Sequence, residues 1–140
     1  MNGIQIERFV RRFCRDKFQG VFSCDTLPPN PQLLVCNTDP HDKPGTHWIV
    51  IYVDKNGRGE YFDSFGMEPP VVFKDYMNKH CRNWTFNHRK LQSVLSRFCG
   101  QYCCFYCVYR YNGFSMNKIV SMFTNDATVN DVLVHKFVCR

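Results

Sequence analysis

The first hydrophobic positions of the chain, Ile6, Phe9, Val10 and Phe13, recur at helical spacing behind Asn2. They predict a capped helix over roughly residues 3–15. Residues 24–31, Cys-Asp-Thr-Leu-Pro-Pro-Asn-Pro, continue neither a helix nor a central strand. Gln32–Asn37 is a short apolar run suited to a buried strand. Asp39–Gly45, with Pro40 and Pro44, reads as a loop that delivers His47 to the next strand. His47–Val53 and Glu60–Asp63 are β-rich runs joined across Asn56-Gly57, a strong hairpin signal. Pro70 opens a helix expected over 71–81, Asn83–Asn87 reads as a strand, and a further short strand is expected to lead into Gln92. Phe98–Arg110 is an apolar helix. Two short helices near 115–123 and 128–138 follow, capped by Ser115 and by a residue within Asn125–Thr128. Helix, then strands, then a second helical cluster is an α+β pattern. No repeat or linker divides it, so residues 1–140 are expected to form one domain.

Composition narrows the setting. An apolar fraction of 44% is enough for a packed core, and no segment approaches the roughly 18 apolar residues of a membrane span. The N-terminus lacks a signal-peptide hydrophobic stretch, which reads as intracellular. Nine cysteines would suggest a disulfide scaffold in a secreted chain, but the count is odd and the core needs no staples. They read as reduced thiols that pack as small hydrophobes. Cys99, Cys103, Cys104 and Cys107 fall in one apolar helical run, whereas a structural zinc site gathers separate ligand pairs across a loop, so no metal is expected. The net charge of +6 comes with basic clusters at Arg8, Arg11, Arg12, Arg15 and Lys17, and at Lys79, Arg82, Arg89, Lys90 and Arg97. Such clusters are solvated helix faces in most proteins, and they also suit a polyanion such as DNA.

The chemistry lies in an ordered set: His47, Asp63, Gln92, Cys99. Imidazole, carboxylate, amide and thiol are the base, orienter, oxyanion donor and nucleophile of a cysteine peptidase. Cys99 has the best claim among the thiols, since it starts a helix just before Gly100, where the helix dipole and unpaired N–H groups favour thiolate. The Asn56-Gly57 turn brings the far ends of its two strands together, and so places His47 beside Asp63. A carboxylate there fixes the imidazole tautomer and stabilises its charged form.

Gly45-Thr-His-Trp48, Tyr61-Phe-Asp-Ser-Phe-Gly66 and Gln92–Cys103 resemble the adenovirus-type cysteine proteases (adenain), with the SUMO proteases as distant relatives. The resemblance covers roughly residues 20–110 and includes the seven-residue step from Gln92 to Cys99. It implies a papain-like core in permuted order, with a mixed sheet packed against the nucleophile helix. It also implies that Gln92 donates to the oxyanion, that Gly100 lines the substrate groove, that Trp48 lines it too or else packs in the core, and that no metal takes part. Human adenovirus enzymes carry Glu where Asp63 stands, and SUMO proteases carry Asp. The chain is shorter than the adenovirus enzyme and looks closer to compact proteases of adenovirus-related viruses and Maverick/Polinton transposons. The family role is cleavage of capsid and core precursors at small, Gly-rich sites during particle maturation, in the host nucleus and the virion interior. DNA and a disulfide-linked viral peptide activate the adenovirus enzyme, and Cys81 is the positional guess for the partner thiol. Two rival expectations remain: a deubiquitinating or deSUMOylating isopeptidase, and a non-enzymatic nucleic-acid-binding module.

Overall fold

The computed structural model of the protein describes residues 1–43 and 47–139, so Pro44, Gly45 and Thr46 of the expected loop and motif lie outside the described residues. A five-stranded sheet runs in the order β1 (Gly20–Ser23), β2 (Leu33–Asn37), β3 (Trp48–Val53), β4 (Arg58–Phe62), β5 (Asn83–Phe86). The central three strands are antiparallel, and each edge strand is parallel to its neighbour. This is the mixed sheet of an α+β fold.

The strands at the middle of the sheet are apolar at consecutive positions because both faces are covered. Leu33, Val35, Trp48, Val50 and Phe62 point to one core, shared with helices α1 (Gly3–Cys14), α3 (Cys99–Tyr111) and α5 (Ala127–Cys139). Leu34, Cys36, Ile49, Ile51 and Tyr61 point to the other, closed by Phe73 and Met77 of helix α2 (Val71–His80). A one-residue slip of any strand would exchange the two sets, so the register is strongly specified. Helix α1 starts with a capping box: Asn2 Oδ1 accepts the Gln5 N–H at 2.8 Å and Gln5 Oε1 accepts the Asn2 N–H at 2.9 Å. Helix α4 (Met116–Ser121) starts at Ser115, whose hydroxyl accepts the Lys118 N–H at 3.2 Å.

Two expectations change. β1 is an additional strand, four residues long at a sheet edge, too short for alternation to reveal. The short strand expected before Gln92 is absent, since residues 87–98 form no strand. Their backbone is held by single contacts instead. The Leu91 and Gln92 N–H groups both donate to the Ser64 carbonyl, at 2.8 and 3.0 Å. The Leu91 carbonyl accepts from Asn130 Nδ2 at 3.1 Å.

Candidate active site

Strands β3 and β4 set the first half of the site. Val50 pairs with Phe62, so the chain leaving β4 at Asp63 runs beside the chain entering β3 at His47. His47 Nε2 lies 2.7 Å from Asp63 Oδ1, with side-chain exposures of 18% and 6%. Phe65 stacks on the imidazole at 5.1 Å between centroids. The Thr38 N–H, at the end of β2, donates to the His47 carbonyl at 3.0 Å and fixes its backbone.

Asp63 is itself built in. Its Oδ1 also accepts the Phe65 N–H at 2.8 Å, while Asn87 beyond β5 holds its backbone. The turn closes at Gly66, whose φ of +66° is open to glycine, and whose N–H donates to the Asp63 carbonyl at 2.8 Å.

Cys99 is the first residue of α3, buried at the helix N-terminus with no side-chain cap. Burial alone would raise its pKa. A hydrogen bond with His47, backbone hydrogen bonds at Trp48 and Gly100 and the His47 charge outweigh that, and hold the thiol below its ordinary value. His47 answers in kind. Burial disfavours its charged form, but the hydrogen bonds and charges of Asp63 and Cys99 raise it to about 9. Thiolate and imidazolium therefore stabilise each other. The other buried thiols go the opposite way: burial raises Cys14 to about 11 and Cys104 to about 12, and lifts Cys36, Cys103 and Cys107 well above the ordinary thiol.

Gln92 is buried 28 residues after Ser64 and seven before Cys99. Its Oε1 accepts the Ser64 hydroxyl at 2.5 Å, and its Nε2 donates to the carbonyl and hydroxyl of Ser96 at 3.1 and 3.0 Å. A cleft of about 490 Å³ opens onto His47 and Asp63 and is walled by Phe65, Met67, Pro70 and Val94.

The remaining expected positions are placed differently. Trp48 is buried, its indole N–H donating to the Met1 carbonyl at 3.2 Å, with its ring against Gly3. Gly100 faces Met1 and Ile6, at 3.0–3.2 Å from where a Cβ would stand. Trp48 from β3 and Gly100 from α3 thus both pack against the N-terminal segment and α1, while directly following His47 and Cys99 in the chain. Cys81 follows α2 and packs with the other core, on the sheet face opposite α3. Among the described residues, no cluster of three or more His, Cys, Asp or Glu is arranged to hold a metal.

Ser64, Asn87, Asn130 and Asp131 are positioning groups that the sequence pattern missed. Each reaches across 24 or more residues through its side chain, which leaves no local signal. Tyr102 of α3 donates to Asp131 Oδ1 at 2.7 Å with the Leu91 carbonyl at 3.2 Å, so α3 and α5 together hold the segment that carries Gln92.

No family model matches the chain. The protease of Bovine adenovirus 4 is 26% identical over 88% of this chain and 78% of its own length. The cysteine protease of African swine fever virus is 28% identical over 79% of this chain, which spans 45% of that protein. Among solved structures, the African swine fever virus protease superposes with a TM-score of 0.68 at 22% identity, covering 96% of this chain and 66% of that one. The SUMO protease Ulp1 superposes with a TM-score of 0.51 at 14% identity, covering all of this chain and 79% of that one. The chain is thus similar in sequence to cysteine proteases of an adenovirus and of African swine fever virus, and it shares a fold with the latter and with the SUMO protease Ulp1.

Proposed function

We propose that the chain is a cysteine endopeptidase with Cys99 as nucleophile, His47 as general base and acid, Asp63 as the orienter of His47 and Gln92 as an oxyanion donor. The observation that carries this reading is the Cys99–His47–Asp63 line, in which Cys99 is lowered while seven other thiols are raised. The Cys99 thiolate attacks the peptide carbonyl, and Gln92 with backbone N–H groups takes up the charge on its oxygen. His47 gives its proton to the departing amine. It then removes a proton from water, whose oxygen attacks the thioester carbonyl, breaking the C–S bond, releasing the acid and restoring the thiolate–imidazolium pair. The scheme uses no metal ion.

The motif resemblance supports a finer proposal: cleavage of capsid or core precursors at small, Gly-rich sites during particle maturation, in the host nucleus and particle interior. DNA is proposed as an activator because Arg8, Arg12, Arg15 and Lys17 are exposed along one end of the chain. An activating peptide linked through Cys81 is a weaker proposal, as the thiol sits on the far sheet face. The fold likeness to Ulp1 favours one alternative, an isopeptidase acting on a ubiquitin-like tail.

The test is iodoacetamide labelling at neutral pH, followed by mass spectrometry, beside cleavage of a Gly-rich peptide library with and without DNA. Selective labelling of Cys99 that His47→Ala abolishes, with cleavage that Cys99→Ala abolishes, is the expected result. Slow, uniform labelling unchanged by His47→Ala, and no cleavage, would overturn the assignment. Preference for SUMO or ubiquitin fusions over every peptide would favour the isopeptidase.

A further inference from the structure

Gln92 is held at both ends of its carboxamide, and the two ends are chemically unlike. On one side the Ser96 backbone carbonyl can only accept, so the amide nitrogen must face it, and the Ser96 hydroxyl accepts a second contact from that nitrogen. On the other side the Ser64 hydroxyl donates to Oε1 at 2.5 Å. Ser64 is 1% exposed and Gln92 is 1% exposed, so the contact between them is fully buried, whereas the Ser96 side is only partly so. A flipped amide would set its oxygen against the Ser96 carbonyl and repel a developing oxyanion.

Ser64 also follows Asp63 directly, and its own carbonyl accepts the Gln92 N–H at 3.0 Å. One dipeptide thus touches the base through its first side chain and the oxyanion donor through its second. We infer that Ser64 is a positioning residue for the oxyanion donor, fixing through its hydroxyl the face that the Gln92 amide presents to substrate. This rests on the endopeptidase reading of the site. Ser96 holds the donor hydrogens at rest, and a substrate carbonyl takes one of them as charge develops on its oxygen.

The experiment compares wild type, Ser64→Ala, Gln92→Ala and the double variant, with Ser64→Cys as a second probe that keeps a weak donor. Three readouts are taken: hydrolysis of a fluorogenic peptide amide ending in Gly-Gly, iodoacetamide alkylation of Cys99, and NMR exchange of the Gln92 side-chain amide without substrate. Ser64→Ala is expected to lower kcat about tenfold with KM within about twofold, since it loosens one oxyanion donor without removing it. Ser64→Cys is expected to fall between wild type and Ser64→Ala. Cys99 alkylation stays unchanged, the Gln92 amide exchanges faster, and Ser64→Ala adds nothing in the Gln92→Ala background. Losses that multiply in the double variant, or a Gln92 amide signal that does not move, would overturn the inference. A wild type that is alkylated at Cys99 but hydrolyses no peptide would sink the endopeptidase reading, while the amide exchange would still decide the role of Ser64.

Discussion

Asn87 grips Asp63 by both backbone groups: Asn87 Oδ1 accepts the Asp63 N–H at 2.9 Å, and Asn87 Nδ2 donates to the Asp63 carbonyl at 2.6 Å. The pair is buried and ties the end of β4 to the chain leaving β5. Asn87→Ala leaves the Asp63 N–H without its partner. It is expected to cost about 1–3 kcal/mol in urea unfolding and to lower kcat/KM by about tenfold as Asp63 shifts. Asn87→Ala with unaltered stability and turnover would show that the clamp is idle.

The pH profile follows from the two shifted groups. Cys99 is lowered, so the thiolate forms below the ordinary thiol range; His47 is raised to about 9 and keeps its proton up to that pH. The rate of hydrolysis should rise as Cys99 ionises and fall above about 9, where His47 can no longer protonate the leaving amine. Cys99 alkylation needs only the thiolate and should show no fall on the basic side. In Asp63→Asn the hydrogen bond that raises His47 is weakened, so the basic limb should move to lower pH and kcat/KM should drop at least about tenfold. Profiles measured in parallel by hydrolysis and alkylation check both points.

Gly66→Ala is expected to be among the costlier single methyl additions in the chain. The residue sits at φ +66°, and an added Cβ would stand 2.7 Å from the backbone carbon and oxygen of Arg89. Strain and collision together should lower stability by about 2–4 kcal/mol and pull Asp63 away from His47. Thermal unfolding of Gly66→Ala beside Gly113→Ala separates the two causes, because a Cβ at Gly113 (φ +93°) meets nothing within 4 Å.

The thiols of α3 should part company under oxidant. At low peroxide, Cys99 should oxidise first, since its pKa is lowered and burial raises Cys103, Cys104 and Cys107. Digestion and mass spectrometry would locate the oxidised residue. Cys103→Ala should keep selective labelling of Cys99 and lose only packing energy, about 1–2 kcal/mol.

What the sequence made legible is periodic or adjacent. The Asn56-Gly57 turn and its flanking β-rich runs placed His47 near Asp63, and the apolar run after Phe98 marked α3 with Cys99 at its start. What it hid is solitary. Asn87 reaches Asp63 over 24 residues, Ser64 reaches Gln92 over 28, and Asn130 reaches Leu91 over 39, each through a single side chain. Trp48 and Gly100 were expected at the groove, yet their contacts are with Met1, Gly3 and Ile6 of the N-terminal segment and α1. Whether a residue beside His47 or Cys99 faces cleft or core depends on which element covers it, and that is settled by tertiary packing.

The contacts of Asn130 and Asp131 also set an order of events. Both residues lie in α5, beyond the nucleophile in the chain, and the segment they hold lies before it. A chain emerging from the ribosome presents its imidazole, carboxylate and thiol first, and gains the anchor of Leu91–Ser93 only when α5 has been made and docked. Until then the Gln92 side of the site lacks that anchor. Tying the Gln92 segment to a helix made after Cys99 means that this segment is anchored only once His47, Asp63 and Cys99 have all been synthesised.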